Sequence, residues 1–299
     1  MSQKKEKFKI GIDMGGTKIE SVILNEKNKE IFRERISTNQ IAGNSEVLNQ
    51  LDTLFKRTKK FIAGNSFTLG IGMPGRICLR TRKLHNSTIL CQNNLKIEQV
   101  IQNKLQTKFR LENDAKCFTF AESTLGSGKN YSFVIGLIIG TGVGAGICIN
   151  KKIINGVSNI AGEFGHTIIG KNEFDCFCGK NGCVNSFISG TAVEAQVFKK
   201  LKKKITSEVF LNKNKYSYVE NKIIQNYQEN FLIALSNLIN TVDPEVIVLG
   251  GGISNCNLIY DKFIPMLNNF IYCEYPKTKV IKNKLGDSAG VIGAALIGK

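Results

Sequence analysis

FKIGIDMGGTKIESVILN (residues 8–25) holds a β-prone run that ends in the carboxylate of Asp13, a turn built on Gly15 and Gly16, and a second β-prone run through Ser21 to Leu24. Short β-rich runs bounded by glycine predict a hairpin. A shift of 125 positions finds the pattern again: Gly136 falls on Gly11, Leu137 on Ile12, Gly140 on Gly15, Ile147 on Val22, Ile149 on Leu24 and Asn150 on Asn25. A match without gaps that keeps the apolar positions and the closing Asn predicts an internal duplication. The expected fold class is therefore α/β with a duplicated core, its two lobes each opening on a glycine hairpin and leaving a cleft between them.

Glycine at such turns lets backbone N–H groups come close to phosphate oxygens. Gly15, Gly16, Thr17 and Lys18 in the first turn, and Thr141 and Gly142 in the second, are thus candidates to hold a phosphate chain. Thr17 and Thr141 add hydroxyl donors, and Asp13 offers an oxygen to a magnesium shell. The context excludes a Walker A loop and a dinucleotide fingerprint, because neither Gly-Lys-Ser/Thr nor Gly-x-Gly-x-x-Gly is present there.

A second cluster lies at Gly162–Cys183, where Gly-Glu-Phe-Gly-His is followed by Cys-Phe-Cys-Gly-Lys-Asn-Gly-Cys. His166, Cys176, Cys178 and Cys183 make a complete tetrahedral set, which predicts a structural zinc with no position left open for catalysis. Gly179 and Gly182 allow the loop to turn back so that Cys183 meets the other two thiols. Glu163, three residues before His166, would be held in place by the liganded imidazole, whose second nitrogen is offered to a polar neighbour.

Composition narrows the class. The 299 residues are enough for two domains. A formal charge of +17 invites a nucleic-acid reading, but the basic residues are scattered along the chain. The densest group, Lys199, Lys200, Lys202, Lys203 and Lys204, alternates with Phe198, Leu201 and Ile205 and reads as the wet side of one amphipathic helix. No nucleic-acid partner is expected. Nine cysteines in a chain this long point to a reducing cytoplasm and not to a disulfide scaffold. The first seven residues run into a strand with no apolar leader region. Tyr131–Asn150 carries no charge and is long enough to span a bilayer, but Gly140, Gly142, Gly144 and Gly146 favour a buried hairpin, so no membrane segment is expected.

Further along, Val47–Phe61 has helical spacing, and Phe67–Gly72 is a strand that Pro74-Gly75 stops. In the loop Leu84–Thr88, Asn86 and Ser87 suit either sugar hydroxyls or an ordinary Asx turn, and His85 reads as a surface residue. Phe109–Leu111 is a strand, and Asn113-Asp114 sits where a helix starts, a place for a capping residue or for a carboxylate that accepts a proton. Ile224, Tyr227, Phe231 and Leu238 share one face of a helix that ends near Pro244. Glu245–Leu249 is a buried strand running into Gly250-Gly251-Gly252, bare backbone on which a flat ring can lie.

Taken together, Asp-x-Gly-Gly-Thr at 13–17, Leu-x-Asn-Asp-Ala at 111–115, Gly-Glu-Phe-Gly-His with its cysteines, and Gly-Asp-Ser-Ala-Gly at 286–290 resemble the ROK family of sugar kinases and sugar-responsive repressors. The resemblance runs from Ile10 to Ala295. It implies a two-lobed actin-like ATPase (ribonuclease H-like) fold. Residues 1–115 plus a returning helix at 290–299 would form the first lobe and 116–289 the second. It also implies ATP, Mg2+ and a structural Zn2+ as cofactors, a hexose as the small-molecule partner, and a homodimer. Asp114 would be the catalytic base; Asn86, Asn113, Glu163 and His166 would hold the sugar; Gly250, Gly251 and Gly252 would face adenine. Family members carry Glu two residues after the last cysteine, whereas this chain has Asn185, a neutral contact whose loss of an acceptor costs roughly 1–3 kcal/mol. The loop at 85–88 and the stretch 286–290 are closer to fructokinases and mannokinases, which leads the reading. The turn at 136–144 and Glu163–His166 are closer to N-acetylglucosamine kinases, the alternative. A repressor would need a helix-turn-helix before the first turn, where only about ten residues stand.

Overall fold

The Gly15-Gly16 turn joins β1 (Lys7–Met14) to β2 (Lys18–Leu24), and the chain goes on through β3 (Glu30–Ser37), α1 (Asn44–Phe61), β4 (Ser66–Met73), β5 (Arg76–Ile77), β6 (Leu84–His85), α2 (Ile97–Leu105), β7 (Arg110–Asn113) and α3 (Asp114–Thr124). The second hairpin is β8 (Phe133–Ile139) and β9 (Val143–Ile149). After it come β10 (Lys152–Ile153), α4 (Asn185–Ile188), α5 (Gly190–Leu201), α6 (Ser207–Leu211), α7 (Tyr218–Val242), β11 (Val246–Gly250), β12 (Lys279–Lys282) and α8 (Ala289–Ile297). This computed structural model describes residues 6–171 and 173–298. Residues 1–5, part of the N-terminal stretch in which no apolar leader is expected, and the final Lys299 lie outside them.

Two compact units emerge, one of 1–121, 155–161 and 288–299, the other of 122–154 and 162–287. Each holds a five-stranded sheet, in the order β3-β2-β1-β4-β7 and β10-β9-β8-β11-β12. In both, the first three strands pair antiparallel and the last two join parallel. Identical order and direction in two sheets is the duplication expressed as topology.

The ungapped correspondence needs one correction. Met14 pairs with Ile19, but Ile139 pairs with Val143, so the second turn is one residue tighter. Leu24 therefore corresponds to Cys148, both fully buried, and not to Ile149, which is half-buried. Side chains alternate along a strand, so a slip of one residue turns every side chain to the other face.

In the first unit, α1 buries Val47, Leu48, Leu51, Leu54, Phe55 and Thr58, the three-and-four spacing of a helix with one apolar face. The returning α8 packs on β1 and β4 at a distance only glycine permits: a Cβ at Gly11 would lie 2.2 Å from the Val291 carbonyl oxygen, and one at Gly70 1.9 Å from that of Ala294. Gly11, repeated as Gly136, thus serves helix packing and not the phosphate turn. In the second unit, α7 is closed at its start by a Ser217–Glu220 capping box. It ends where Asp243 turns left-handed (φ 43°) before Pro244. The five lysines do not share a helix: α5 stops at Leu201, Lys202 adopts φ 55°, and Lys203 and Lys204 lie beyond in exposed coil. No helix among the described residues is long and apolar enough to cross a membrane, and Phe133–Ile149 is a hairpin.

Gly70→Ala forces Cβ onto a helix backbone that cannot rotate away, and it is expected to cost roughly 3 kcal/mol by overpacking. Gly43→Ala, at φ 91° with open space around it, carries only backbone strain of about 1 kcal/mol. Urea midpoints of the two variants check the difference.

Candidate active site

In the first unit the glycine turn is held from outside. Gly15 N–H donates to the Lys18 carbonyl (2.8 Å), the Thr38 hydroxyl donates to Gly15 O (2.8 Å), and Gln40 Nε2 donates to Gly16 O (2.9 Å). With the carbonyls occupied, Thr17 stays exposed and Lys18 half-buried. Thr38 and Gln40 escaped the sequence reading, since a lone polar residue at the end of β3 carries no motif.

Asp13 ends its run on β1 beside two bare backbones: a Cβ at Gly290 would lie 3.0 Å from Asp13 Oδ2, and one at Gly72 3.4 Å from Oδ1. The carboxylate keeps some contact with solvent but has protein on most sides. Burial first, then the charge of Asp114, then that of Glu20, raise it from 3.8 to about 7. The two carboxylates of the reading are thus near enough to feel each other.

The N-terminus of α3 divides the two roles that the sequence left open. Asn113 is the cap: its Oδ1 accepts from Lys116 N–H (3.2 Å), while Nδ2 donates to Gly75 O (3.2 Å). Asp114 is half-buried, with Oδ1 accepting from Ala115 N–H at 2.9 Å. Below them Lys116 is buried, its ammonium reaching Asn155 Oδ1 (2.9 Å), Asn159 Oδ1 (3.2 Å) and Glu112 Oε1 (3.7 Å). That network ties the loop 155–161 to the strand and helix that carry Asp114, a tie invisible in the sequence. Asn86 is exposed in the left-handed conformation (φ 57°), and Ser87 Oγ accepts from Ile89 N–H (3.1 Å), as in a turn. His85 lies half-buried on β6 opposite Arg76.

In the second unit, Glu163 and His166 lie against β9 through two glycines: a Cβ at Gly162 would meet Ala145 O at 2.6 Å, and one at Gly165 Val143 O at 2.1 Å. Burial lowers the pKa of His166, and the charge of Glu163 opposes this only in part. The ligating atoms of His166, Cys176, Cys178 and Cys183 lie within 4.8 Å of one another. Cys176 Sγ is 3.5 Å from His166 Nδ1, and Cys178 Sγ is 3.7 Å from Cys183 Sγ. Bonds of zinc length predict tetrahedral edges of about 3.5 Å (S to N) and about 3.8 Å (S to S), and these two distances match them. Burial and the neighbouring thiols raise Cys183 and Cys176, and a cation is what allows such thiols to ionise together. Gly179 (φ 85°) and Gly182 (φ 83°) make the reversal that the spacing predicted.

The second glycine turn is clamped by α4 and the start of α5. Gly190 N–H donates to Gly140 O (2.7 Å), Thr191 Oγ1 to Thr141 O (2.8 Å), and Val143 N–H to Asn185 Oδ1 (2.9 Å). Of the three glycines after β11, Gly251 (φ 80°) approaches the backbone of Ile139, where a Cβ would stand 2.5 Å from its oxygen. A Cβ at Gly252 would stand 1.9 Å from Glu208 Oε1. Gly251 therefore has a packing reason of its own, whereas the Glu208 side chain can swing away from Gly252, and Gly250 is buried at the end of the strand.

This chain matches the ROK family over residues 9–299. An N-acetyl-D-glucosamine kinase of Histophilus somni is 32% identical over 300 residues, 96% of this chain and 97% of that protein. The chain belongs to the ROK family. Among solved structures, the ROK hexokinase of Thermus thermophilus is similar with a TM-score of 0.86 at 22% identity, covering 97% of each chain. A ROK family glucokinase of Streptomyces griseus, solved with glucose and AMPPNP, gives 0.81 at 21% identity over 97% of this chain and 99% of that one. The fold is thus the two-lobed actin-like ATPase fold of the ROK sugar kinases.

Because the folded pKa of Asp13 lies above its unfolded value, its contribution to stability is complete below about 3.8 and is lost as pH rises through about 7. Asp13→Asn is accordingly expected to raise the melting temperature of the ligand-free protein at pH 8 and to leave it nearly unchanged below pH 4; thermal melts across that range test the sign.

Proposed function

We propose that this chain is an ATP-dependent carbohydrate kinase that transfers the γ-phosphoryl group to a hydroxyl of N-acetyl-D-glucosamine, with the 6-hydroxyl as the acceptor. The carrying observation is the 32% identity over 96% of the chain to a relative named N-acetyl-D-glucosamine kinase. The same name recurs at similar identity in Vibrio parahaemolyticus. The lean toward fructose or mannose, drawn from the loop at 85–88 and the stretch 286–290, gives way to the alternative. Those short polar stretches weigh less than whole-chain identity.

In this reading Asp114 accepts the proton of the attacking hydroxyl. That hydroxyl is far too weak an acid to ionise beforehand, so its proton moves late, as the new oxygen–phosphorus bond forms and ADP leaves. Most of the rate then comes from alignment and from neutralising phosphate charge. Thr17, Lys18 and the N–H groups of the first turn, and Thr141 with Gly142 in the second, are the donors assigned to the phosphates. Asp13 would offer its carboxylate to the water shell of a magnesium ion, which would supply positive charge to the ADP leaving group. Gly250–Gly252 are assigned to adenine. Glu163 is assigned to the sugar hydroxyls, His166 to the sugar through its remaining ring nitrogen, and Asn86 to the sugar from its exposed loop. Zinc in the Cys3His set would fix the ring of His166. Nine free cysteines suit a reducing compartment, and the cytoplasm is proposed.

ADP release coupled to each of N-acetylglucosamine, N-acetylmannosamine, glucose, mannose and fructose tests the assignment, with N-acetylglucosamine expected to have the highest kcat/KM. Turnover with fructose alone would sink it. Asp114→Asn is expected to lower kcat by 10²-fold or more while sugar binding survives, roughly the size of a general-base contribution. Elemental analysis of purified protein is expected to find one zinc per chain, and Cys183→Ala to abolish it.

A further inference from the structure

We infer that Asn185 positions the second glycine turn for the nucleotide's phosphates and does not touch the sugar. The inference rests on the kinase reading above and concerns only how that site is built. Asn185 is buried at the first position of α4, two residues after Cys183. Both ends of its carboxamide are used inside the protein. Oδ1 accepts from Val143 N–H at 2.9 Å, where the turn enters β9, and Nδ2 donates to Cys176 Sγ at 3.8 Å. The oxygen also packs against the turn itself, since a Cβ at Gly142 would lie 3.1 Å from it.

A carboxamide suits both contacts. One end must accept from an amide and the other must donate to a sulfur that is anionic when metal is bound. A carboxylate has no hydrogen for the second contact and would set like charge against the thiolate. Glutamate, the residue that ROK relatives place here by resemblance, would be one methylene longer and could not donate to the sulfur. The turn has few other anchors: Gly190 N–H on Gly140 O and the Thr191 hydroxyl on Thr141 O complete the clamp. Thr141 itself is exposed. A turn whose carbonyls and first strand amide are all pinned keeps its remaining N–H groups and hydroxyl in one arrangement, and a phosphate does not pay to order them. Asn185 thereby links the Cys3His cluster to the phosphate turn by one side chain, so that emptying the metal site is felt by the nucleotide as well as by the sugar.

Titration calorimetry of the full-length protein with a non-hydrolysable ATP analogue and, separately, with N-acetylglucosamine tests this, zinc content being measured on the same samples. Asn185→Ala is expected to raise the dissociation constant of the analogue about tenfold, the loss of one buried hydrogen bond, and to change that of the sugar less than about twofold. Thr191→Val, which removes the hydroxyl that bonds Thr141 O and Ser189 Oγ, is expected to weaken the analogue in the same direction and keep its zinc. Asn185→Asp keeps the acceptor and loses the donor, so it is expected to release zinc at lower chelator concentration than wild type. Weakened sugar binding in Asn185→Ala with nucleotide affinity intact would make the residue a sugar ligand and overturn the inference. Unchanged nucleotide affinity in Asn185→Ala would overturn it as well, whatever Thr191→Val shows. Wild-type protein that phosphorylates no hexose would instead defeat the kinase reading, so the two failures are separable.

Discussion

A glycine turn that offers bare N–H groups to an anion has no side chains with which to hold its own shape. Its carbonyls must be pinned by neighbours, or the ordering entropy falls on the ligand. Both units answer this constraint. In the first, Thr38 and Gln40 occupy the carbonyls of Gly15 and Gly16. In the second, Gly190 and Thr191 occupy those of Gly140 and Thr141, and Asn185 takes the amide of Val143. The strand order is duplicated while the clamps are not, so each half has found its own polar residues for one task.

Charge is managed in the same economical way. Burial and the charge of Asp114 raise Asp13's cost of ionisation, and the bare backbones of Gly72 and Gly290 lie beside its carboxylate. Three thiols crowded with an imidazole are the same problem at higher density, and a tetrahedral cation would resolve it. The buried Glu20 shows the alternative where no ligand is called for: Arg33 and Arg35 neutralise it directly. Local electrostatics thus separates Glu20, which two arginines pair, from Asp13, whose ionisation burial and acidic neighbours oppose.

Reading residues alone reached the hairpins, the clustering of His166 with three cysteines and the acid at the start of α3, because each is a short segment whose chemistry is complete within a few positions. Asp13 through Lys18 and Cys176 through Cys183 need only their own turns to be understood. The five-lysine helix failed for a reason of the same scale: helical spacing continued past Leu201, but Lys202 took a left-handed conformation that ends a helix, and nothing in the residue type announces it. The slip in the second hairpin likewise came from one residue fewer in a turn, which no apolar pattern records.

The amino-acid order by itself determined the duplicated hairpins, the ligand count of the Cys3His set and the family to which the chain belongs, since these depend on residue types at short spacing. Tertiary structure alone decided which residues hold those pieces still. Gly11 and Gly70 are glycine because α8, more than 200 residues away, lies against them. Asn113 caps while Asp114 carries the charge, and Asn155 returns to grip Lys116. Asn185 faces a thiol and an amide and not the solvent. Such contacts join residues far apart in the chain, and a hydrogen bond or a sub-van-der-Waals approach is a property of distance in space, which residue order does not contain.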